Sequence, residues 1–368
     1  MERERVVIAM SGGIDSAVAA ARLVDEGLDV VGVTLHLWDY GPDGGDHGRC
    51  CAPEDQYDAR RTADLLGFPH YTFDRRELFA AQVVDPFVEA YLGGATPSSC
   101  AACNRTVKLV ELSRIADRLG ARWLATGHYA RIGRDADGTP FMREGRDKQK
   151  DQSYFLYSAD RALLERLRFP LGDSDKAEVR SEAATRGLPG AGKGESQELC
   201  FVAGAYGDFV ESRVSDARLR PGPIVDGEGK QVGAHTGVHR YTIGQRRGLG
   251  VALGKPAFVT RIDPETGTVH VGERAHESGA AELADVLLAP GVTLPRRVRA
   301  RIRYRHEGAE ASAEHLGGDR ARLTFRAPTR SVAPGQIAVL YDGERVLGGG
   351  RVTRALGVDA PGVVASGA

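Results

Sequence analysis

The stretch from Val6 to Ser16, VVIAMSGGIDS, constrains this chain more than any other. Val6, Val7 and Ile8 form a short run of β-branched residues, the pattern of a strand buried on both faces. Ser11, Gly12 and Gly13 follow as a turn in which missing Cβ atoms let a ligand approach the backbone. Ile14 to Glu26 then reads as a helix, with Val18, Ala21 and Leu23 as its apolar stripe and Gly27 as its stop. Strand, glycine turn, helix aims unpaired N–H groups and a positive dipole end at a phosphate. A lone Gly-Gly pair would read as an ordinary tight turn. Here two hydroxyls and a carboxylate stand at fixed offsets inside it. The spacing and lysine of the GxxxxGK[ST] nucleotide loop are absent.

From Met1 to about Val202, strands alternate with amphipathic helices. Further strands are expected at Asp29–Trp38, Pro69–Asp74 and Arg122–Arg131, and helices at Ala52–Leu66 and Cys103–Leu119. That alternation predicts an α/β domain with a mostly parallel sheet and ligands at the carboxyl ends of the strands. Ser11-Gly-Gly and Thr126-Gly127-His128 both fall at such ends, so they are expected to line one crevice. The composition shifts near Tyr206. Arg220 to Arg274 is rich in glycine and turn pairs, the mark of a small mainly-β domain. Past about Ala281 strands and turns alone remain, which predicts a β-barrel or a compact sandwich. The expected domains are therefore 1–205, 206–280 and 281–356, followed by a flexible tail of small residues at 357–368.

With 368 residues, no apolar run long enough to cross a bilayer and no cleavable apolar segment at the start, the chain reads as cytoplasmic. Five cysteines, an odd number, point to free or reactive thiols in a reducing compartment. Cys100 and Cys103 lie in a Pro/Ser loop that runs into a helix, where the N-terminus lowers a thiol pKa. A buried inert thiol is the default for any single cysteine. The polar Glu195-Ser-Gln-Glu before Cys200 argues instead for an exposed loop, whereas Cys50 and Cys51 read as structural. Cys100, Cys103 and Cys200 also supply three thiolates, enough for an iron–sulfur cluster with one open iron.

A net charge of −1 excludes bulk electrostatic attraction to nucleic acid and leaves room for a local basic face. In Arg296–Arg305 (RRVRARIRYR), Arg297, Arg299, Arg301, Arg303 and Arg305 alternate with apolar residues and are expected on one strand face. Five like charges there would repel unless an anion lay across them, and a phosphate backbone suits that place better than bare solvent. Arg246 and Arg247 offer a second small basic loop, equally readable as an exposed hairpin.

SGGIDS resembles the pyrophosphate loop of the ATP pyrophosphatases. Taken with CNRTVK, LATGHYAR, KDQSYFLY, ELCFV, YTIGQRRGLG and PGQIAVLYDGE, in order along nearly the whole chain, it is similar to one family, the bacterial tRNA-specific 2-thiouridylases. The resemblance implies an N-terminal nucleotide-binding α/β domain of the adenine nucleotide alpha hydrolase type, a small central domain and a C-terminal β-barrel. It implies that Ala9, Met10, Ser11, Gly12, Gly13, Ile14, Asp15 and Ser16 hold ATP with Mg²⁺, with Leu35 at the adenine and Gly127 closing the pocket. Cys103 becomes the nucleophile and general base, and Cys200 the persulfide carrier. Ser98, Ser99 and Cys100 would meet the target base; Lys150, Asp151 and Gln152 would touch tRNA. His128, Arg303, Tyr304 and Gln336 match positions of substrate contact. The family usually carries Asn-Pro where this chain has Ser98-Ser99, and Asp or Cys at the position of Cys100.

The implied reaction adenylates the C2 oxygen of the wobble uridine in lysine, glutamate and glutamine tRNAs, then delivers persulfide sulfur to give 2-thiouridine. The sulfur would come from a cysteine desulfurase or a relay protein. Two other classes compete with this one. A pyrophosphatase acting on a small metabolite would leave the cysteines and the arginine strand unused. A non-catalytic RNA-binding module would have no use for SGGIDS.

Overall fold

The structure, a computed structural model, describes residues 3–39, 53–190, 199–251, 254–273 and 277–358. Cys50, Cys51, Glu195–Glu198 and most of the 357–368 tail lie outside the described residues. The chain divides into two compact units. The first comprises Met1–Val84, Ser99–Phe201 and Glu344–Val346; the second comprises Asp85–Ser98, Val202–Gly343 and Leu347–Ala368.

The first unit is built on a parallel sheet. Its strands are β1 (Arg5–Ala9), β2 (Asp29–His36), β3 (His70–Asp74), β4 (Trp123–Ala125) and, beyond an antiparallel hairpin of β5 (Ala130–Arg134) and β6 (Pro140–Glu144), β7 (Leu167–Arg168). The order is β3-β2-β1-β4-β7, all pairs parallel. Val6, Val7 and Ile8 are wholly buried, as a central strand covered on both faces demands. The chain order reverses between β1 and β4, so the loops leaving these two strands flank the switch-point crevice. Helix α1 (Ile14–Asp25) is almost enclosed. Ala17, Ala19, Ala20 and Ala21 let it approach β1 closely, with Val179 and Ala183 in the same core. Helix α2 (Pro53–Leu66) adds Ala59 and Ala63 to that core.

Two elements differ from expectation. The strand expected over Arg122–Arg131 splits into β4 and β5, because Gly127 must leave the sheet to touch α1. A Cβ at Gly127 would stand 2.8 Å from Ser16 N and 2.9 Å from the Asp15 carbonyl carbon. The helix expected over Cys103–Leu119 starts earlier. After α3 (Arg76–Phe79) and α4 (Asp85–Leu92) come α5 (Ser99–Cys103), a π-helical turn at Asn104–Lys108, and α6 (Leu109–Arg118). Such wide turns are frequent at functional sites, and the Thr106 hydroxyl donates to Ala102 O (2.9 Å) across this one. Helices α7 (Arg161–Arg166) and α8 (Lys176–Thr185) complete the unit, α8 opened by a capping box between Asp175 and Glu178. Glu344–Val346 also belong here: Arg345 lies opposite Arg143 of β6 and pairs with Asp135 at 2.7 and 2.9 Å.

The second unit holds two β structures. A four-stranded sheet, β8 (Gly222–Val225), β9 (Gln231–His235), β10 (Phe258–Asp263) and β11 (Thr268–Gly272), encloses Ile224, Val259, Val269 and Val271. A closed antiparallel barrel contains β12 (Glu277–Leu288), β13 (Arg296–Arg301), β14 (Ala309–Gly317), β15 (Arg320–Arg330), β16 (Ile337–Asp342) and β17 (Arg345–Gly357). The ring runs β12-β15-β14-β13-β16-β17 and closes where β17 pairs with β12. Helices α4 and α9 (Tyr206–Glu211) belong to this unit. Phe87 and Tyr91 of α4 meet Tyr206 and Phe209 at ring separations of 5.9 to 6.1 Å. Residues 85–98 thus leave the contiguous 1–205 stretch to bury an aromatic face.

The arginine strand is also shorter than expected. β13 ends at Arg301, and residues 302–305 turn away. Strict alternation fails there, since Arg301 and Ile302 are both buried. Arg299 donates to Glu307 O (2.8 Å) and lies over the Tyr341 ring at 4.7 Å, with Arg301 over the same ring at 5.6 Å. Backbone carbonyls and an aromatic face therefore take up the charges of Arg299 and Arg301.

Candidate active site

The loop after β1 has the makings of an anion cradle. Helix α1 starts directly after Gly13, which offers no side-chain cap, so its first N–H groups are not taken by one. Ser16 Oγ donates to Gly13 O (2.9 Å), accepts from Ser11 N (3.2 Å) and lies 3.3 Å from Ser11 Oγ. Gly12 sits at φ +77°, and a Cβ there would fall 2.1 Å from the Asp55 carbonyl oxygen. Ser11 is exposed at the mouth, Gly13 half-buried, and Ala9, Met10 and Ile14 line the protein side. Leu35 is buried near the carboxyl end of β2.

Asp15 is not a free carboxylate. Lys176 Nζ donates to both of its oxygens at 2.7 Å, and Tyr129 OH donates to Oδ1 at 2.9 Å. The ammonium also stands 5.8 Å from the centre of the Tyr129 ring. Lys176 and Tyr129 are functional neighbours that motif reading misses. Lys176 stands 161 positions beyond Asp15 in the chain, and nothing in its local sequence marks it apart from the capping residues around it.

The loop after β4 joins this constellation through Gly127, whose close approach to Ser16 brings the two expected crevice walls together. Tyr129 N donates to Gln152 Oε1 (3.0 Å) and Gln152 N to Tyr129 O (2.9 Å), which ties KDQSYFLY to that loop. Asp151 differs from its expected role. It is 2 % exposed, and its carboxylate accepts from Gly145 N, Ser153 N and Ser153 Oγ at 3.0 to 3.1 Å, so it anchors the loop from within. Lys150 is half-buried, its N–H donating to Asp147 O (3.1 Å).

His128 Nδ1 pairs with Thr126 Oγ1 at 2.7 Å, and the ring meets Phe169 edge-on. Burial, reinforced by the Lys108 charge, pushes its pKa down to about 3, so the imidazole is neutral at physiological pH. Lys108 closes the π-helical turn behind Cys103, so the cysteine helix approaches the same loop. Helix α5 also packs on the Ser153–Leu156 turn.

Three cysteines among the described residues stand outside any recorded disulfide: Cys100 exposed, Cys103 buried and Cys200 between the two. Cys200 was expected on an exposed loop. Its neighbour Phe201 is instead buried against Phe79 (5.5 Å) and Trp38 (6.1 Å). Phe79 leads into the turn Ala80–Val84, and α5, which ends at Cys103, packs on that turn. No three His, Cys, Asp or Glu side chains are gathered to hold a metal among the described residues. The iron–sulfur expectation for Cys100, Cys103 and Cys200 therefore does not fit this arrangement.

Of the remaining expected contacts, Ser98, Arg303, Tyr304 and Gln336 lie in the second unit. Ser98 is half-buried just ahead of α5, whereas Ser99, the first residue of α5, is buried in the first unit with no partner for its hydroxyl. Arg303 is exposed and reaches Arg330 O at 3.4 Å; Tyr304 follows it in the turn after β13. Gln336 Nε2 donates to Thr96 O at 2.8 Å. No helix among the described residues is long and apolar enough to cross a membrane.

Comparison with known proteins adds three matching family models. A tRNA methyl transferase HUP domain matches residues 4–204, a tRNA methyl transferase PRC-barrel domain 207–273, and an aminomethyltransferase beta-barrel domain 284–352. The chain is 58% identical over 359 residues to the tRNA-specific 2-thiouridylase MnmA of Sorangium cellulosum, covering 96% of this chain and 93% of that protein. It is 46% identical to the protein of that name from Moorella thermoacetica, covering 94% and 98%. For that of Paramagnetospirillum magneticum the identity is 47%, covering 94% of each.

Proposed function

Since the chain belongs to the tRNA-specific 2-thiouridylase family, we propose that it replaces the C2 oxygen of the wobble uridine (tRNA position 34) with sulfur at the cost of ATP. The relationship across nearly the whole chain carries this reading, and the uncapped glycine turn before α1 supplies the chemistry it needs. The C2 oxygen attacks the α-phosphorus of ATP, pyrophosphate leaves, and C2 now bears AMP as a good leaving group. The N–H groups of Ser11 to Ser16 and the two serine hydroxyls receive the pyrophosphate charge. Leu35 lies against the adenine and Gly127 keeps the second wall close. Among the described residues no group of three His, Cys, Asp or Glu side chains gathers to hold a metal, so Mg²⁺ would come with the triphosphate and would neutralise its charge there.

Sulfur arrives as a persulfide on Cys200, given by a cysteine desulfurase or a relay protein. Its terminal sulfur attacks C2 and AMP leaves, giving a C2–S–S–Cys200 adduct. The Cys103 thiolate then attacks Cys200 Sγ, the S–S bond of the adduct breaks, and 2-thiouridine leaves with a Cys103–Cys200 disulfide behind it. In the alternative order Cys103 releases hydrosulfide from the persulfide first, with the same disulfide as by-product. A thiol reductant resets either route. Ser98, Ser99 and Cys100 face the base in this scheme. His128, Lys150, Gln152, Arg303, Tyr304 and Gln336 engage the tRNAs for lysine, glutamate and glutamine, in the cytoplasm, with 1–205 as the catalytic domain, 206–280 central and 281–356 as the tRNA-binding barrel. A wobble base is unpaired in the free tRNA, so it reaches a crevice at little unstacking cost.

The test is nucleoside mass spectrometry of tRNA from cells lacking the chain and complemented with variants. Wild type restores 2-thiouridine. Cys200→Ser still consumes ATP on tRNA and yields no thiolated product; normal 2-thiouridine from that variant would remove Cys200 from the mechanism.

A further inference from the structure

The peptide that enters the nucleotide loop is held from β2 on both of its sides. Met10 N donates to Val33 O at 2.8 Å, and Met10 O accepts from the Thr34 hydroxyl at 2.8 Å. Thr34 Oγ1 is also 2.8 Å from His70 Nε2. A hydroxyl has one proton, and Thr34 has given it to Met10 O, so His70 Nε2 must be the donor in the second bond. Direction is thereby fixed along the whole line: His70 Nε2–H to Thr34 Oγ1–H to Met10 O.

The carbonyl of Met10 and the N–H of Ser11 share one planar peptide unit. Fixing the carbonyl fixes the N–H, which is the first donor of the loop and now points at Ser16 Oγ. Thr34 and Met10 are both buried, so water does not replace a lost partner. His70 is half-buried on the edge strand β3, at a groove lined by Arg60, Asp64, Phe68 and Tyr71. Burial, with the Arg60 charge, lowers its pKa, which suits a ring that donates through Nε2 while neutral.

We infer that Thr34 and His70 are positioning residues for the nucleotide: they set the Met10–Ser11 peptide plane and so hold the Ser11 N–H on Ser16 Oγ, which fixes the pair of serine hydroxyls that meets the phosphates. This inference rests on the ATP reading of the loop. Without the Thr34 hydroxyl a buried carbonyl loses its donor, the peptide plane is released, and the Ser11 N–H loses its aim. His70 acts one step back, by holding Thr34 in the rotamer that serves Met10.

Steady-state kinetics with saturating tRNA and sulfur donor test it. Thr34→Val, which keeps the shape and removes the hydroxyl, raises KM for ATP about tenfold and leaves KM for tRNA within twofold. Thr34→Ser restores KM for ATP to within twofold of wild type. His70→Leu raises KM for ATP severalfold and His70→Gln, which keeps an N–H donor, less. A purely structural role would lower the melting temperature of Thr34→Val without moving KM for ATP in the folded protein, and that result overturns the inference. Should Thr34→Val not fold, the His70→Leu and His70→Gln pair gives the same decision. A wild-type protein that thiolates no tRNA and turns over no ATP would instead refute the ATP reading, and the positioning role with it.

Discussion

At the scale of single residues, two glycines with the same backbone angle separate conformation from crowding. Gly12 and Gly27 both sit at φ +77°, but a Cβ at Gly27 meets nothing within 4 Å, whereas one at Gly12 strikes the Asp55 backbone. Gly27→Ala should therefore cost only the left-handed backbone term, ~1–2 kcal/mol. Gly12→Ala adds a backbone clash that no side-chain rotation relieves, so it should cost several times more and abolish ATP turnover. Denaturant melts of both variants check the contrast. The role of Gly12 was legible in the sequence because the motif is local. Lys176 was not, since its link to Asp15 exists only once α1 and α8 share a core. Asp151 misled for the converse reason: a charged residue between Lys150 and Gln152 reads as surface, and only the fold shows three donors closing around it.

Among elements, strands and helices of the first sheet followed their periodicity, and the departures came where a tertiary contact overrode it. Gly127 broke one strand to reach α1, and the π-helical turn behind Cys103 has no periodic signature to read. The arginine strand is the clearest case. Alternation assigns five arginines one role, whereas the structure gives Arg301 a buried place against Tyr341 and leaves Arg303 exposed in the following turn. These should separate by experiment. Arg303→Ala should weaken tRNA binding and reduce the slope of log affinity against log salt by about 1, with an unchanged melting temperature. Arg301→Ala should cost the fold ~2–3 kcal/mol, because it deletes a packed side chain and strips the Tyr304 carbonyl of its donor. Equal salt slopes for the two variants would contradict this division.

Over the whole molecule, net charge says little about acid stability; wholly or partly buried histidines say more. Burial lowers the pKa of His70, His128, His235, His270 and His306. Each takes up a proton near pH 6.5 when unfolded and resists it when folded. The unfolded chain binds more protons as the pH falls, so stability falls with it. His128 is displaced furthest, to about 3, so its effect persists from pH 6.5 down to about 3. Wild-type melting temperature should drop from pH 7 to pH 5, and His128→Gln should flatten that slope. Glu344 adds a separate loss in stronger acid. Hydrogen bonds from Lys148 and Arg143 hold its carboxyl down at about 2, so its contribution, screened by partial exposure, is present above pH 4.5 and gone near pH 2.

Glu344 and Arg345 carry one more implication, which concerns time during synthesis. The unit that carries the glycine turn is built mostly from residues 1–84 and 99–201, yet it borrows three residues, 344–346, translated well after them. Until they emerge from the ribosome, Arg131, Arg143 and Lys148 lack their shared anion and Asp135 its guanidinium. A nascent chain halted short of Glu344 would thus carry the glycine turn and every cysteine without the last piece of their scaffold, so the competent enzyme is a product of finished translation.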